Sequence, residues 1–456
     1  MLRVRRLVQL LVTAAFVAYL VWPREAPFGQ YLFKLDALAI GGASLASRAA
    51  LTALVFAALL VVVTLLFGRV FCGWVCPLGA LSDGVDYIVR QQPRKPNLRR
   101  VKTDVLIVVV CLAVGGISLF WLLDPLNWAA RIGGVFGVGH IEFGWVLLLG
   151  GALLAIEAVL GKRGFCRVLC PLGALLGAVG KVSGYKFEVS DACIDCGDCV
   201  KVCRARAFTA KPSDHDHGEC IHCRECEQVC PTDAIKFRYF APKLHRPDPL
   251  RRSLVFSLAG GVGLTAAVRF GGKALAAPKP TLRPPGTVPE NRLHSLCIRC
   301  GSCLRACPTG GIVGDGPEGL LWWQTPRLSG REGGCAFDCN ICGQVCPTGA
   351  IKPLKLDEKK RLKLGVAKIN QDLCIAYHRR QACLICYAVC PVDAIKMTKS
   401  ENKLKWGEKL LLPEIIEGRC IGCGLCETAC PVAGAGAIVT EALSMQKLLV
   451  EKLDLT

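Results

Sequence analysis

Histidine is scarce in this chain, with seven in 456 residues, and methionine is scarcer, with three. Across the apolar first 180 positions the only histidine is His140. A membrane b-type haem needs two histidine ligands, so none can be built there. No C-x-x-C-H attachment site for a c-type haem occurs either. Also missing are a phosphate-cradling Walker loop, a dinucleotide-binding fingerprint and a Ser–His or Cys–His nucleophile constellation. Those absences exclude nucleotide hydrolysis, nicotinamide hydride transfer and covalent acyl transfer. Any chemistry must come from cysteine, of which there are 29.

The mean hydropathy of +0.41 and the 52% hydrophobic content are high for a soluble protein. The apolar residues concentrate in the first 180 positions, which points to a membrane domain rather than one large core. The formal charge is +20. Its basic residues gather in loops that flank apolar runs, so nucleic-acid binding is not the reading of this charge.

The chain is organised around Arg251–Ala277, RRSLVFSLAGGVGLTAAVRFGGKALAA. Twin arginine, a short apolar core and Ala274-Leu275-Ala276 make the grammar of an export signal, placed internally. Read instead as a retained helix, it is a fifth span with its start on the cytoplasmic side. Before it, apolar runs predict four spans: Leu7–Trp22, Ala49–Phe67, Val105–Leu123 and Phe143–Leu160. The loop Arg90–Lys102 is strongly basic and Asp124–Glu142 holds only Arg131, which puts the former inside.

Two loops repeat 94 residues apart: VFCGWVCPLGAL at Val70–Leu81 and GFCRVLCPLGAL at Gly164–Leu175. Cys72 and Cys76, and Cys166 and Cys170, are i,i+4 pairs that share a face if helical. These four thiols can hold a metal or cluster, act as redox thiols, or be reduced structural cysteines in a tight bend. Cys111 stands alone in an apolar run and reads as core filler. Two full sets follow: Cys193, Cys196, Cys199 and Cys203, then Cys220, Cys223, Cys226 and Cys230. The C-x2-C-x2-C-x3-C spacing is that of a [4Fe–4S] ligand set, in which the fourth cysteine serves the other cluster. One site is then Cys193, Cys196, Cys199 and Cys230, and the other Cys220, Cys223, Cys226 and Cys203. His215, His217 and His222 read as solvated loop residues, with metal ligation as the alternative.

Past a proline-rich linker, Pro278–Pro289, come four more sets. They are Cys297, Cys300, Cys303 and Cys307; Cys335, Cys339, Cys342 and Cys346; Cys374, Cys383, Cys386 and Cys390; and Cys420, Cys423, Cys426 and Cys430. The third of these has a stretched first gap that contains His378, Arg379 and Arg380. That gap reads as a solvated loop, or as basic groups that tune a cluster or dock an acidic partner. Whether neighbours pair, or outer sets pair around inner ones, is open at this level. Trp322-Trp323 reads as packing against the cluster fold, or else as a docking patch, and Lys359–Lys363 as a solvated basic turn. The fold expected is a membrane α-helical bundle, four spans plus a fifth, with α+β tandem ferredoxin-like domains on both sides. Its divisions are 1–180 for the membrane domain, 181–250 for a cytoplasmic two-cluster domain, 251–277 for the internal signal or span, and 278–456 for an extracytoplasmic four-cluster domain.

The spans, the repeated C-x3-C-P loops and the first two sets resemble the NapH-like membrane quinol dehydrogenases. The twin arginine followed by four sets, the third stretched, resembles the NapG/MauM exported ferredoxins. The resemblance implies a fusion of the two, with six 4Fe-4S clusters, residing in the cytoplasmic membrane. It implies electron transfer between the quinone pool and an extracytoplasmic oxidoreductase or cytochrome, with no nucleic-acid partner. NosR-like and CcoG-like proteins share the membrane cassette, which leaves an assembly factor or a redox sensor as the rival role.

Overall fold

A computed structural model describes residues 2–22, 28–88, 98–132, 143–208, 211–240, 252–270, 281–316, 321–403, 409–434 and 436–448. Arg251, the Ala274-Leu275-Ala276 signature, His140 and most of the Arg90–Lys102 loop lie outside the described residues. The chain divides into two compact units, Met1–Gly271 and Gly272–Thr456.

The first unit is helical, then α+β. Its helices are α1 (Leu2–Val21), α2 (Phe28–Lys34), α3 (Ala37–Ser47), α4 (Leu54–Phe67), α5 (Pro77–Ile88), α6 (Arg99–Val114), α7 (Pro125–Ile132), α8 (Phe143–Leu160), α9 (Gly164–Val168) and α10 (Pro171–Gly180). There follow β1 (Tyr185–Val189), α11 (Asp198–Val202), α12 (Glu225–Gln228), β2 (Ile235–Tyr239) and α13 (Arg252–Phe270). Strands β1 and β2 pair antiparallel, Phe187 opposite Phe237, and bracket the two short helices.

Four spans are not supported. Among the described residues only Arg3–Val21 is long and apolar enough to cross a membrane alone. Two of the other expected spans are shorter as helices. Helix α4 ends at Phe67 as expected but begins only at Leu54, because residues 49–53 form a turn; 14 residues, about 21 Å of helix, remain. Gly115 and Gly116 end α6, so the expected span to Leu123 finishes instead in a turn at Phe120–Leu122. The same helices still turn large apolar side chains outward, among them Leu10, Val55, Leu59, Leu148 and Phe256.

Helix α13 packs along α6 through small residues four apart. Ser257 Oγ donates to Asp104 at 2.8 Å. Gly261 lies against Cys111, and Thr265 against Gly115. A side chain at 261 would sit 2.9 Å from the Cys111 Cβ, which gives that lone cysteine a packing role.

A buried ion network ties the unit together. Asp83 accepts from Arg163 Nε at 2.7 Å and from Arg5 Nη2 at 2.6 Å, and Arg5 Nη1 reaches Glu225 at 3.1 Å. Arg204 also binds Glu225, at 2.7 Å. On the other side Arg69 and Lys102 share Glu219. Burial alone raises the Asp83 pKa, but Arg163 and then Arg5 outweigh it and hold the carboxyl well below the usual range. The pairing is therefore complete above about pH 4 and is lost only as pH falls well below it.

The second unit carries two repeats of the same α+β pattern. The first has α14 (Glu290–Leu296), α15 (Ser302–Ala306), β3 (Ile312–Gly314), β4 (Pro326–Leu328), α16 (Ile341–Gln344) and α17 (Leu356–Lys360). The second has β5 (Leu362–Ile369), α18 (Ile375–His378), α19 (Ile385–Ala388), β6 (Ile395–Lys403), β7 (Lys409–Ile415), α20 (Leu425–Ala429) and β8 (Ile438–Leu448). Strand β5 pairs with β8 and β6 with β7, all antiparallel, so the β6–β7 pair nests within β5–β8 and each cysteine set lies between an outer and an inner strand. Lys359 is not solvated, as a basic turn would be; it is buried and donates to the carbonyls of Ala336 and Phe337. Trp322 packs on His294, ring centroids 5.3 Å apart.

Removing Arg163 leaves Asp83 buried with too little positive charge. Arg163→Ala should cost about 3–5 kcal/mol, read as a lowered melting temperature of the detergent-solubilised protein at neutral pH. Arg163→Lys should not restore it, because one ammonium cannot replace the planar fork. An unchanged melting point would remove this network from the account of the fold.

Candidate metal centres

In each standard set the loop around the second cysteine bends twice through the left-handed region. The positions are Asp195 and Gly197, His222 and Arg224, Arg299 and Gly301, and Gly422 and Gly424. Such a backbone turns its N–H groups inward and makes an anion-binding hollow. Four or five residues after four of the six fourth cysteines, a backbone N–H turns back onto the sulfur. Ala207 donates to Cys203 at 3.2 Å, Ala234 to Cys230 at 3.3 Å, Ile351 to Cys346 at 3.4 Å and Ala394 to Cys390 at 3.3 Å.

The thiols group across sets. One apolar cavity is lined by Cys203, Cys220, Cys223 and Cys226. Cys199 lies beside Cys193 and Cys196, and Cys230 packs on the same core. In the second unit Cys303 faces Cys300, Cys297 and Cys346, while Cys342 faces Cys335, Cys339 and Cys307. Two further cavities are lined by Cys390, Cys420, Cys423 and Cys426, and by Cys374, Cys383, Cys386 and Cys430. Neighbouring sets therefore exchange fourth cysteines, which spacing alone left open.

These cradles fit an iron–sulfur cube. Burial, and then the neighbouring thiols, push Cys342 up to about 12; burial, and then the nearby Glu225 carboxylate, push Cys223 up to about 11. Four thiolates can stand together there only around added positive charge. Among the described residues no three His, Cys, Asp or Glu side chains converge tightly enough for a single ion. Soft thiolates set around a wider hollow suit a cluster rather than zinc.

The repeated C-x3-C-P loops converge as well. Phe71–Val75 forms a π-helical turn and α9 the matching turn of the second copy. Pro77 and Pro171 each open the next helix, with a cysteine at the preceding position. The Cys170 sulfur caps α10 by accepting from Gly173 N–H at 3.2 Å. Cys72, Cys76, Cys166 and Cys170 lie within one electrostatic neighbourhood. Burial pushes Cys166 up to about 12 against the pull of Arg163, and burial with the other thiols raises Cys76 and Cys170.

Arg69 and Arg163 were not singled out by sequence, though each stands three residues before its loop's first thiol. Each crosses to the other copy. Arg163 donates to the carbonyls of Cys72 and Gly79, at 2.8 and 3.2 Å. Arg69 lies over Gly173 and Gly177 of α10 and beside the Cys72 thiol. The repeat extended three residues upstream, Arg-x-Phe-Cys, carries that signal.

The quartet abuts the Cys203/Cys220/Cys223/Cys226 site. Trp74 Nε1 donates to the His222 carbonyl at 3.1 Å. Gly73 sits on the Ile221 carbonyl so closely that a Cβ there would be 2.1 Å from the oxygen. His222 is not a solvated loop residue. It is buried, stacked on Tyr185 at 5.5 Å, and burial lowers its pKa to about 4, so it is neutral. His215 and His217 likewise pack on Phe187.

Comparison with known proteins agrees with these groupings. A 4Fe-4S binding domain model matches residues 49–96 and 143–190, the two copies of the repeat. A 4Fe-4S dicluster domain model matches 192–234, 296–350 and 379–434. The ferredoxin-type protein MauM of Methylophilus methylotrophus is 33% identical over 201 residues, 41% of this chain and 85% of that protein. NapH of Haemophilus influenzae is 30% identical over 217 residues, 44% of this chain and 73% of that protein. NapG of Escherichia coli is 30% identical over 199 residues, 43% and 85% respectively. The chain belongs to the ferredoxin-type 4Fe-4S electron-transfer proteins that include MauM, NapG and NapH.

Proposed function

We propose that this protein joins a NapH-like and a MauM/NapG-like ferredoxin in one chain. It passes electrons between the quinone pool and an extracytoplasmic oxidoreductase or cytochrome. Six [4Fe–4S] clusters, on the 24 cysteines of the six sets, would carry single electrons. The observation that carries the reading is the seat of the first thiol loop on the ligand loop of the Cys203/Cys220/Cys223/Cys226 site, through Gly73 and Trp74. A quinol oxidised beside the quartet would give up two protons to water and two electrons, and clusters held by these cysteines would supply one-electron acceptors for them. The outward apolar faces of α1, α4, α8 and α13 support lipid contact. The twin arginine and the basic 90–102 loop favour residues 181–250 on the cytoplasmic side and 278–456 outside.

Cys72→Ser and Cys166→Ser should each slow quinol-driven reduction of the clusters more than about ten-fold, a loss of roughly 1.4 kcal/mol or more in barrier terms. Reduction by dithionite should be unaffected. Unchanged quinol turnover in both variants would refute a role for the quartet. Anaerobically purified protein should hold about 24 irons per chain, and a count below about twenty would sink the six-site assignment. The packing of α13 on α6 favours a retained helix. A C-terminally tagged protein should then run as one band at 49.0 kDa. A tagged fragment of less than half that mass would show instead that the segment is cut after Ala276.

A further inference from the structure

In the second unit the four sites form a line with unlike ends. Cys335 N–H donates to the Cys423 carbonyl at 2.7 Å. Cys335 also packs on both cores, that of Cys342 and that of Cys420, Cys423 and Cys426. The order along the unit is therefore the Cys297, Cys335, Cys420 and Cys374 sites. At the Cys297 end the loop is covered, with Ile298 3% and Arg299 4% exposed. At the other end the described residues leave the loop uncovered. Leu373, Leu384, Ile385 and Tyr387 are each more than 40% exposed. Among the described residues of this unit the only other exposed large apolar side chain is Val439, at 38%, next to Ile438 on the wall of the same cavity.

The stretched gap supplies charge to this face. His378, Arg379 and Arg380 are exposed, and Arg380 is held in the left-handed region at φ 51°. The nearby acids are Asp372, Glu414, which faces Tyr377, and Glu441, which is paired with Lys368. A solvated loop alone does not account for four apolar side chains left in water around a four-thiol cavity. The eight residues between Cys374 and Cys383 place cations beside that patch without covering it.

We propose that this face is the electron port of the unit. Its occupant is a redox protein whose prosthetic group is ringed by acidic side chains. The apolar patch lets the two groups approach without intervening water, and the arginines steer the encounter. This rests on the electron-transfer reading and adds the place and the charge of the partner.

The test uses the full-length protein in detergent, reduced with dithionite and desalted, then mixed in a stopped flow with an excess of oxidised plastocyanin as an acidic probe or cytochrome c as a basic one. Plastocyanin should reoxidise the clusters faster at about 20 mM salt, and the rate should fall about ten-fold by about 0.3 M. The R379E/R380E double variant should lose about ten-fold with plastocyanin and gain with cytochrome c. L384S/Y387S should slow both probes with little change in salt dependence. Absorbance and iron content of each variant confirm that the sites are loaded, and quinol-driven reduction is measured separately. Should quinol fail to reduce even the unaltered protein, the electron-transfer reading falls. Should quinol reduction persist while the charge-reversed variant keeps its rate and preference, the port falls alone.

Discussion

A thiolate taken out of water is stable only where positive charge meets it. Nearly every local feature of this chain answers that constraint. Burial and mutual repulsion push the grouped thiols toward their neutral form, Cys226 and Cys303 strongly so. The left-handed bends turn N–H groups inward, and further N–H groups return to the fourth sulfurs. These partial charges are too weak to hold four thiolates. A metal core supplies the rest, and in small domains with little apolar area its binding energy is also folding energy.

The thiol quartet meets the same constraint with protein cations. Arg69 and Arg163 occupy equivalent places in the two copies and cross to opposite copies. Each crossing needs room, which explains the glycines. Gly173 and Gly177 leave a trough for Arg69, and Gly79 accepts Arg163. The crossing also fixes how the copies face each other, because a guanidinium fork satisfies two or three carbonyls only in one pose. Asp83 and Glu225 then extend the network to the cluster loop, so the interactions that close the fold also set the spacing between redox groups.

The cysteine sets were legible because ligand spacing is local: seven residues carry three thiols of a standard set, and no distant contact is needed to recognise them. The exchange of fourth cysteines in the second unit was not legible. It depends on β5 finding β8 around β6 and β7, and spacing carries no information on that pairing. The spans were misjudged for the opposite reason. Hydropathy averages over a window, whereas the turn before Leu54 and the glycine after Val114 cut helices at single residues. His222 looked like a solvated residue because polarity was read without the Tyr185 ring and the Gly68 backbone that enclose it. The convergence of the two C-x3-C-P loops was legible as a possibility from their repetition. What held them together, a pair of arginines just upstream, was visible only once the helices were in place.

Each unit leaves one end of its series of sites open. The residue after the first cysteine shows it most simply, being isoleucine in all four sets of standard spacing. Ile221, Ile298 and Ile421 are buried, at 4%, 3% and 3% exposure, while Ile194 is 64% exposed. The same side chain in the same loop is thus enclosed in three places and left in water in one. Its burial would be worth on the order of 1–2 kcal/mol, so folding alone gives no reason to leave it out. In the first unit the enclosed site is the one against the quartet, and the open one, with Cys196 exposed, lies beyond it. Enclosure at one end raises the strength of every charge interaction there, and access at the other lets a partner come close. A relay needs both conditions at opposite ends, and a site built for storage or for structure alone needs neither.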